Sequence, residues 1–227
     1  MTETAKGSRD RILSRIRASL DAQTNQASRQ AAAAARISAH ARGTVPARAR
    51  AQAGDAVVAF VARLKAQAIT VAEAAHLADV PRLAADFLRA NNLPARLRMG
   101  ADPGLASMPW AEAAPLEVLS GRAGATDEVS LSRAFAGVAE TGTLVLTSGP
   151  DNPTTLNFLP ETHIVVVRAG DVVGGYEDAW DRLRAMAGGA MPRTVNWVSG
   201  PSRTADIEQT IVMGAHGPRR LHVILAG

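Results

Sequence analysis

Cysteine is absent from this chain. Disulfides and thiol catalysis are therefore excluded, and no iron–sulfur cluster can be held here through cysteine ligands. Aromatic residues supply only 4% of the sequence, so a core has to be built from Val, Leu, Ile and Ala. No apolar run approaches the ~18 residues of a membrane-spanning helix. The opening segment "MTETAKGSRDRIL" lacks the apolar centre of a signal peptide, so the expected location is cytoplasmic.

Hydrophobic residues nonetheless fill 47% of the 227 positions, enough for one globular domain with an appendage. The net charge of +4 is unevenly spread: residues 1–50 hold ten Lys or Arg against three Asp or Glu, and the remainder fifteen against eighteen. The basic character is thus an N-terminal property. Such a segment suits nucleic acid or a docking arm. No aromatic residues are interleaved with these arginines to stack bases, so a partner-docking arm is expected rather than a nucleic-acid site.

"SRDRILSRIRASL" places Ile12, Leu13, Ile16 and Leu20 on one helical stripe, with Ser8 as candidate N-cap. "QAAAAARISAHARGTVPARARAQ" then loses its period at Gly43 and Pro46, and residues 21–52 read as a weak helix followed by a mobile linker. The expected division is an arm and linker over 1–53 and an α/β domain over 54–227. Within that domain Val57, Phe60, Val61 and Leu64 form a helical stripe, and "ITVAE" a strand. Asp79 is expected to cap the helix "VPRLAADFLRANN", with Pro81 in its first turn. "ARLRM", "LEVL", "TLVLTS", "THIVVV", "TVNWV" and "LHVILA" read as strands, and "GGYEDAWDRLRAMA" as a helix. Near-continuous aliphatic runs such as "HIVVV" mark strands covered on both faces. The expected fold is a three-layer α/β/α domain with a mainly parallel sheet, and ligands of such folds sit beyond the strands' carboxyl ends.

Two polar constellations stand out. Glu140, Thr141, Gly142 and Thr143 make a tight turn before "LVLTS", followed by the turn cluster "SGPDNP". Each residue of that cluster has an ordinary turn or capping role. Glu140 lies between apolar segments and is expected to be partly buried. It is either a structural carboxylate bonded to nearby N–H groups or a nucleophile or general base. The second constellation is "SGPSRTADIE". Gly200 and Pro201 break a strand, and Ser202 or Thr204 is placed to cap a following helix. Free N–H groups there, with Arg203 and two hydroxyls, suit a phosphate or carboxylate, although Asp206 would compete for the same positive end. His216 lies between two glycines at the mouth of the last strand, while His163 and His222 read as core. No histidine pair has the helical spacing of a zinc site, so no metal is expected.

"AETGTLVL", "LPETHIVVV", "SGPSRTADIE" and "GAHGPRRLHVIL", in this order, resemble the lactate utilization protein C family, the stand-alone form of the LUD domain. The resemblance runs from about residue 54 to the end and is strongest from Ala139. It implies a fold like that of ribose-phosphate isomerases, glucosamine-phosphate isomerases and CoA-transferases. It further implies a role in oxidising L-lactate to pyruvate beside partner proteins that carry the iron–sulfur clusters, with no cofactor in this chain. A small carboxylate or phosphate ligand would meet Thr141, Gly142, Thr143, Gly200, Ser202, Arg203, Thr204, Asp206 and His216. The resemblance to CoA-transferases gives Glu140 an alternative role as an acyl-accepting carboxylate in a transferase-like or sugar-phosphate-isomerase-like enzyme. A non-catalytic metabolite-binding module is the third alternative.

Overall fold

The structure is a computed structural model, and it describes residues 7–21, 26–50, 53–188, 191–207, 210–213 and 216–227. The chain divides into two units, Met1–Thr44 and Val45–Gly227. The first holds helices α1 (Ser8–Asp21) and α2 (Gln26–Ala39). The apolar stripe of α1 forms as its spacing requires, and Ile12, Ile16 and Leu20 on it are exposed.

The second unit begins with a single 3-10 turn at Ala47–Ala49, in which Ala49 is buried. The segment read as mobile linker therefore contains a residue packed into the body. Helix α3 (Ala53–Ala66) follows, and Phe60 and Leu64 of its predicted stripe are fully buried. Then come β1 (Thr70–Ala74), α4 (Val80–Ala90), β2 (Arg96–Met99), α5 (Pro103–Ala106), β3 (Glu117–Ser120) and β4 (Val129–Arg133). Next are β5 (Ala136–Val138), β6 (Thr143–Thr147), α6 (Thr155–Phe158), β7 (Thr162–Arg168), β8 (Val172–Val173) and α7 (Tyr176–Ala187). The described chain ends with β9 (Val195–Val198), β10 (Arg203–Ile207), β11 (Thr210–Met213) and β12 (Arg220–Ala226). Pro81 sits in the first turn of α4 as expected, but Asp79 does not cap that helix. Its carboxylate accepts the His76 N–H at 3.0 Å instead, bracing the turn before it.

Six strands form one wholly parallel sheet in the order β1-β12-β7-β4-β2-β3. This is the mainly parallel α/β sheet that the sequence predicts. Residues alternate between its two faces. Leu131, Ile164, Val166 and Ile224 pack with Val80, Ala84 and Leu88 of α4. On the other face, Val165, Val167 and Val223 pack with Phe60 and Leu64 of α3 and with Leu144 and Leu146 of β6.

Two predicted strands leave this sheet. "TLVLTS" and "TVNWV" become β6 and β9 of a second sheet, ordered β8-β5-β6-β9, where β6 is antiparallel to both neighbours. One face of this small sheet meets α3 and the parallel sheet, and the other packs Ala136, Val138 and Val145 against Ala179 and Leu183 of α7. A doubly covered strand reads the same whether its neighbours run parallel or antiparallel. The close layers need glycine at one point: a Cβ on Gly137 would lie 2.6 Å from the ring of Phe60.

The helix expected after Pro201 is replaced by strand β10, paired antiparallel with β11. Its hydroxyl, Arg and Asp residues resemble a helix start, but the β-branched run "TIV" that follows supplies a pairing partner. Two buried histidines lie in the parallel sheet as predicted. Burial drives the His163 imidazole down to about 3, and its Nε2 meets Ser132 Oγ at 2.6 Å. Burial drives His222 down to about 4, offset in part by a hydrogen bond to Thr70. The His222 ring stacks on Phe87 with centroids 4.0 Å apart.

Candidate functional site

The two polar constellations do meet. Thr143 Oγ1 lies 2.5 Å from Ser199 Oγ, 2.6 Å from Thr141 Oγ1 and 2.8 Å from the Tyr176 hydroxyl. A hydroxyl has one proton to donate and two lone pairs, so Thr143 is saturated by these three neighbours. Gln67, just beyond α3, binds them from below: its side-chain amide donates to the Thr141 carbonyl. Its backbone carbonyl accepts from Arg203 at 3.4 Å. Gly142 and Gly200 close the two turns at φ +69° and +86°, a conformation that favours glycine. Ser202 receives the His216 N–H on its hydroxyl at 3.2 Å and donates its own N–H to Pro218. The side chains of Thr204 and Asp206 lie outside the described residues; their backbone belongs to β10.

Glu140 is buried, and Arg48 from the 3-10 turn donates to its Oε1 at 2.9 Å. Together with Arg63, Ala66, Gln67 and Thr141, this pair borders a cavity of about 360 Å³. The Arg48 contact joins positions 92 residues apart, a pairing that no local pattern announces. The Thr141–Ser199 cluster sits where α3 leads into β1 and where the chain enters β12, at the amino ends of the parallel strands.

The opposite, carboxyl ends of those strands hold a crevice that sequence reasoning passed over. Strands β2 and β4 are neighbours in the sheet, yet the chain departs from them in opposite directions, toward β3 on one side and toward β7 and β12 on the other. Such a reversal opens a gap beyond the strand ends, where open α/β sheets bind ligands. Asp102, three residues past β2, faces Arg133, the last residue of β4. Arg133 Nη2 reaches Asp102 Oδ2 at 2.8 Å, and the other carboxylate oxygen of Asp102 caps α5 through the Leu105 N–H at 3.0 Å.

Across the crevice, Arg182 of α7 pairs with Asp171 and lies over the Phe135 ring, 5.6 Å from its centroid. These residues, with the loop Ser148–Asn152 after β6, enclose about 390 Å³. A second cavity of about 670 Å³ shares Ser148 and Gly149 and extends to Arg122 and Arg193. The "SGPDNP" turn, read as an ordinary loop, thus forms the wall between two cavities. The available signal was the strand-end rule itself, once "VSLSR" was recognised as a strand ending in arginine. Among the described residues no group of three His, Asp or Glu is arranged to hold a metal ion.

Residues 121–226 match the family model of the LUD domain. The chain is 39% identical over 90 residues to lactate utilization protein C of Bacillus subtilis, covering 39% of this chain and 38% of that protein. It is 34% identical over 105 residues to lactate utilization protein C of Geobacillus thermodenitrificans, covering 44% of each chain. A protein of Neisseria meningitidis matches at 41% over 99 residues, 44% of this chain and 42% of its own. The aligned segment spans less than half the length of these curated relatives. The fold is similar to the crystal structure of a DUF162 family protein from Deinococcus radiodurans, with a TM-score of 0.61 at 22% identity, covering 78% of this chain and 99% of that one. Arg122, Arg133, the Ser148–Asn152 loop, Arg182 and Arg193 all fall inside the LUD segment, as do Glu140 to Thr143 and Gly200 to His216, whereas Asp102 and Arg48 precede it.

Proposed function

We propose that this protein is a component of an L-lactate-oxidising system and binds its small ligand in the crevice at the carboxyl ends of β2 and β4. The observation that carries the role is the similarity, at 34–40% identity, to several proteins named lactate utilization protein C. The chemistry of the crevice supports the ligand class. Arg133 and Arg182 each keep guanidinium N–H donors beyond those given to Asp102 and Asp171, and two parallel N–H groups match a carboxylate. Asp102 and Asp171 supply acceptors beside them. A 2-hydroxy acid offers both complements: a carboxylate for an arginine and a hydroxyl proton for an aspartate.

Oxidation of L-lactate to pyruvate releases two electrons and two protons. A chain without cysteine holds no iron–sulfur cluster through cysteine ligands, so in this reading the clusters belong to partner proteins and this subunit holds and presents the organic acid. The anchored pairs keep both arginines in fixed orientations, which limits the entropy lost on binding.

Deleting the gene from its native host should abolish growth on L-lactate as sole carbon source, and the intact gene should restore it. A copy encoding Arg133→Lys should restore growth poorly, because an ammonium cannot reproduce the planar fork. Unchanged growth of the deletion strain would overturn the reading.

A further inference from the structure

The second cavity differs from the first in one decisive respect: among the described residues, its arginines have no carboxylate partner. Arg122, Ser148, Thr154, Arg193 and Thr194 border a space of about 670 Å³, and no residue of its lining is acidic. Arg122 and Arg193 are exposed and have no carboxylate partner among the described residues. Its two walls are tied together. Ser148 and Thr194 exchange two hydrogen bonds of 3.0 and 2.9 Å, and the Ala123 N–H donates to Thr155 Oγ1 at 3.1 Å.

The hydroxyls have protons to spare. Ser148 Oγ accepts from the Thr194 N–H, which leaves its O–H free to donate. Thr154 and Thr194 share a 3.4 Å contact, so only one of their two protons is used. The cavity thus presents two guanidinium groups and at least two hydroxyl donors, with no acidic side chain to neutralise them. A planar carboxylate presents two acceptor oxygens; a phosphate group presents more, in several directions, and carries more charge.

We infer that this cavity is a phosphate-binding site, and that the protein binds a phosphorylated metabolite or cofactor there, next to but separate from the small-acid crevice. The inference does not depend on the lactate reading: the two cavities share the wall at Ser148 and Gly149, but this one rests on a different pair of arginines.

Isothermal titration of the full chain at low ionic strength with inorganic pyrophosphate tests it. The wild-type protein should bind. Arg122→Ala and Arg193→Ala should each weaken binding roughly tenfold, as expected for loss of a charge-assisted hydrogen bond, and the double variant should not bind measurably. L-lactate added in excess should not compete. Citrate, an anion of carboxylates alone, should bind more weakly than pyrophosphate. Absence of pyrophosphate binding, binding undiminished in the double variant, displacement by L-lactate, or equal affinity for citrate would each overturn the assignment. Both arginines are exposed and have no ion-pair partner among the described residues, so their replacement leaves the fold intact, which a thermal melt of each variant verifies.

Discussion

Gly100 lies so close beneath Asp151 that a Cβ at position 100 would come within 1.8 Å of the Asp151 carbonyl oxygen. The end of β2 and the loop after β6 are therefore in backbone contact, and that contact fixes the wall shared by the two cavities. The obstacle is backbone, which cannot swing aside as a side-chain tip can. Gly100→Ala should displace the Ser148–Asn152 loop and lower stability by about 1–3 kcal/mol. Gly149→Ala, in the same loop but with nothing within 4 Å of its Cβ, should be near neutral. Urea denaturation of the two variants makes the comparison, and equal stability would contradict the contact.

Arg48 and Glu140 form a mixed pair, with side chains 60% and 8% exposed. The exposed arginine is well screened by solvent, which limits what the pair contributes. Arg48→Ala leaves a buried carboxylate without its guanidinium, whereas Glu140→Gln removes the charge itself. A double-mutant cycle with Arg48→Ala and Glu140→Gln should give a coupling of about 0.5–1 kcal/mol. A coupling of zero would mean that the contact orders the 3-10 turn without stabilising the fold.

The two buried histidines set the acid limb of stability. Their folded values of about 3 and about 4 lie below the unfolded value of 6.5. Between these limits the unfolded chain binds more protons than the folded one, so stability falls as pH falls below about 6.5. Above it, both imidazoles are neutral in either state and contribute no slope. Each histidine steepens the loss by up to about 1.4 kcal/mol per pH unit. His222→Gln should flatten the profile between about pH 6 and 4 by close to one proton. Denaturation midpoints measured across that range give the slope directly.

Every strand of the parallel sheet except β4 was legible from its apolar residues. "VSLSR" escaped notice: Ser130 and Ser132 break the apolar run, yet both are buried, donating to Leu156 O and meeting His163 respectively. A buried serine satisfied by a distant partner looks, in sequence, like a surface serine. The meeting of Thr141–Thr143 with Ser199–Ser202 was readable from their shared polarity at strand ends. The crevice was not, because it depends on strand order. Asp102 and Arg133 are 31 residues apart, and nothing local shows that β2 and β4 become neighbours. The β10–β11 hairpin was misread because hydroxyl and acidic residues serve helix starts and strand edges alike.

Floor and roof of the crevice follow different sheets: Arg133 ends a strand of the parallel one, with Asp102 just past its neighbour, and Thr147 ends a strand of the small one, with Ser148 just after it. The aperture therefore scales with the spacing between the layers, and Phe60 of α3, seated in the notch at Gly137, fixes how closely the small sheet settles on that helix. A side chain added at position 137 would push the small sheet, which carries the roof, off α3 without touching any group that lines the mouth.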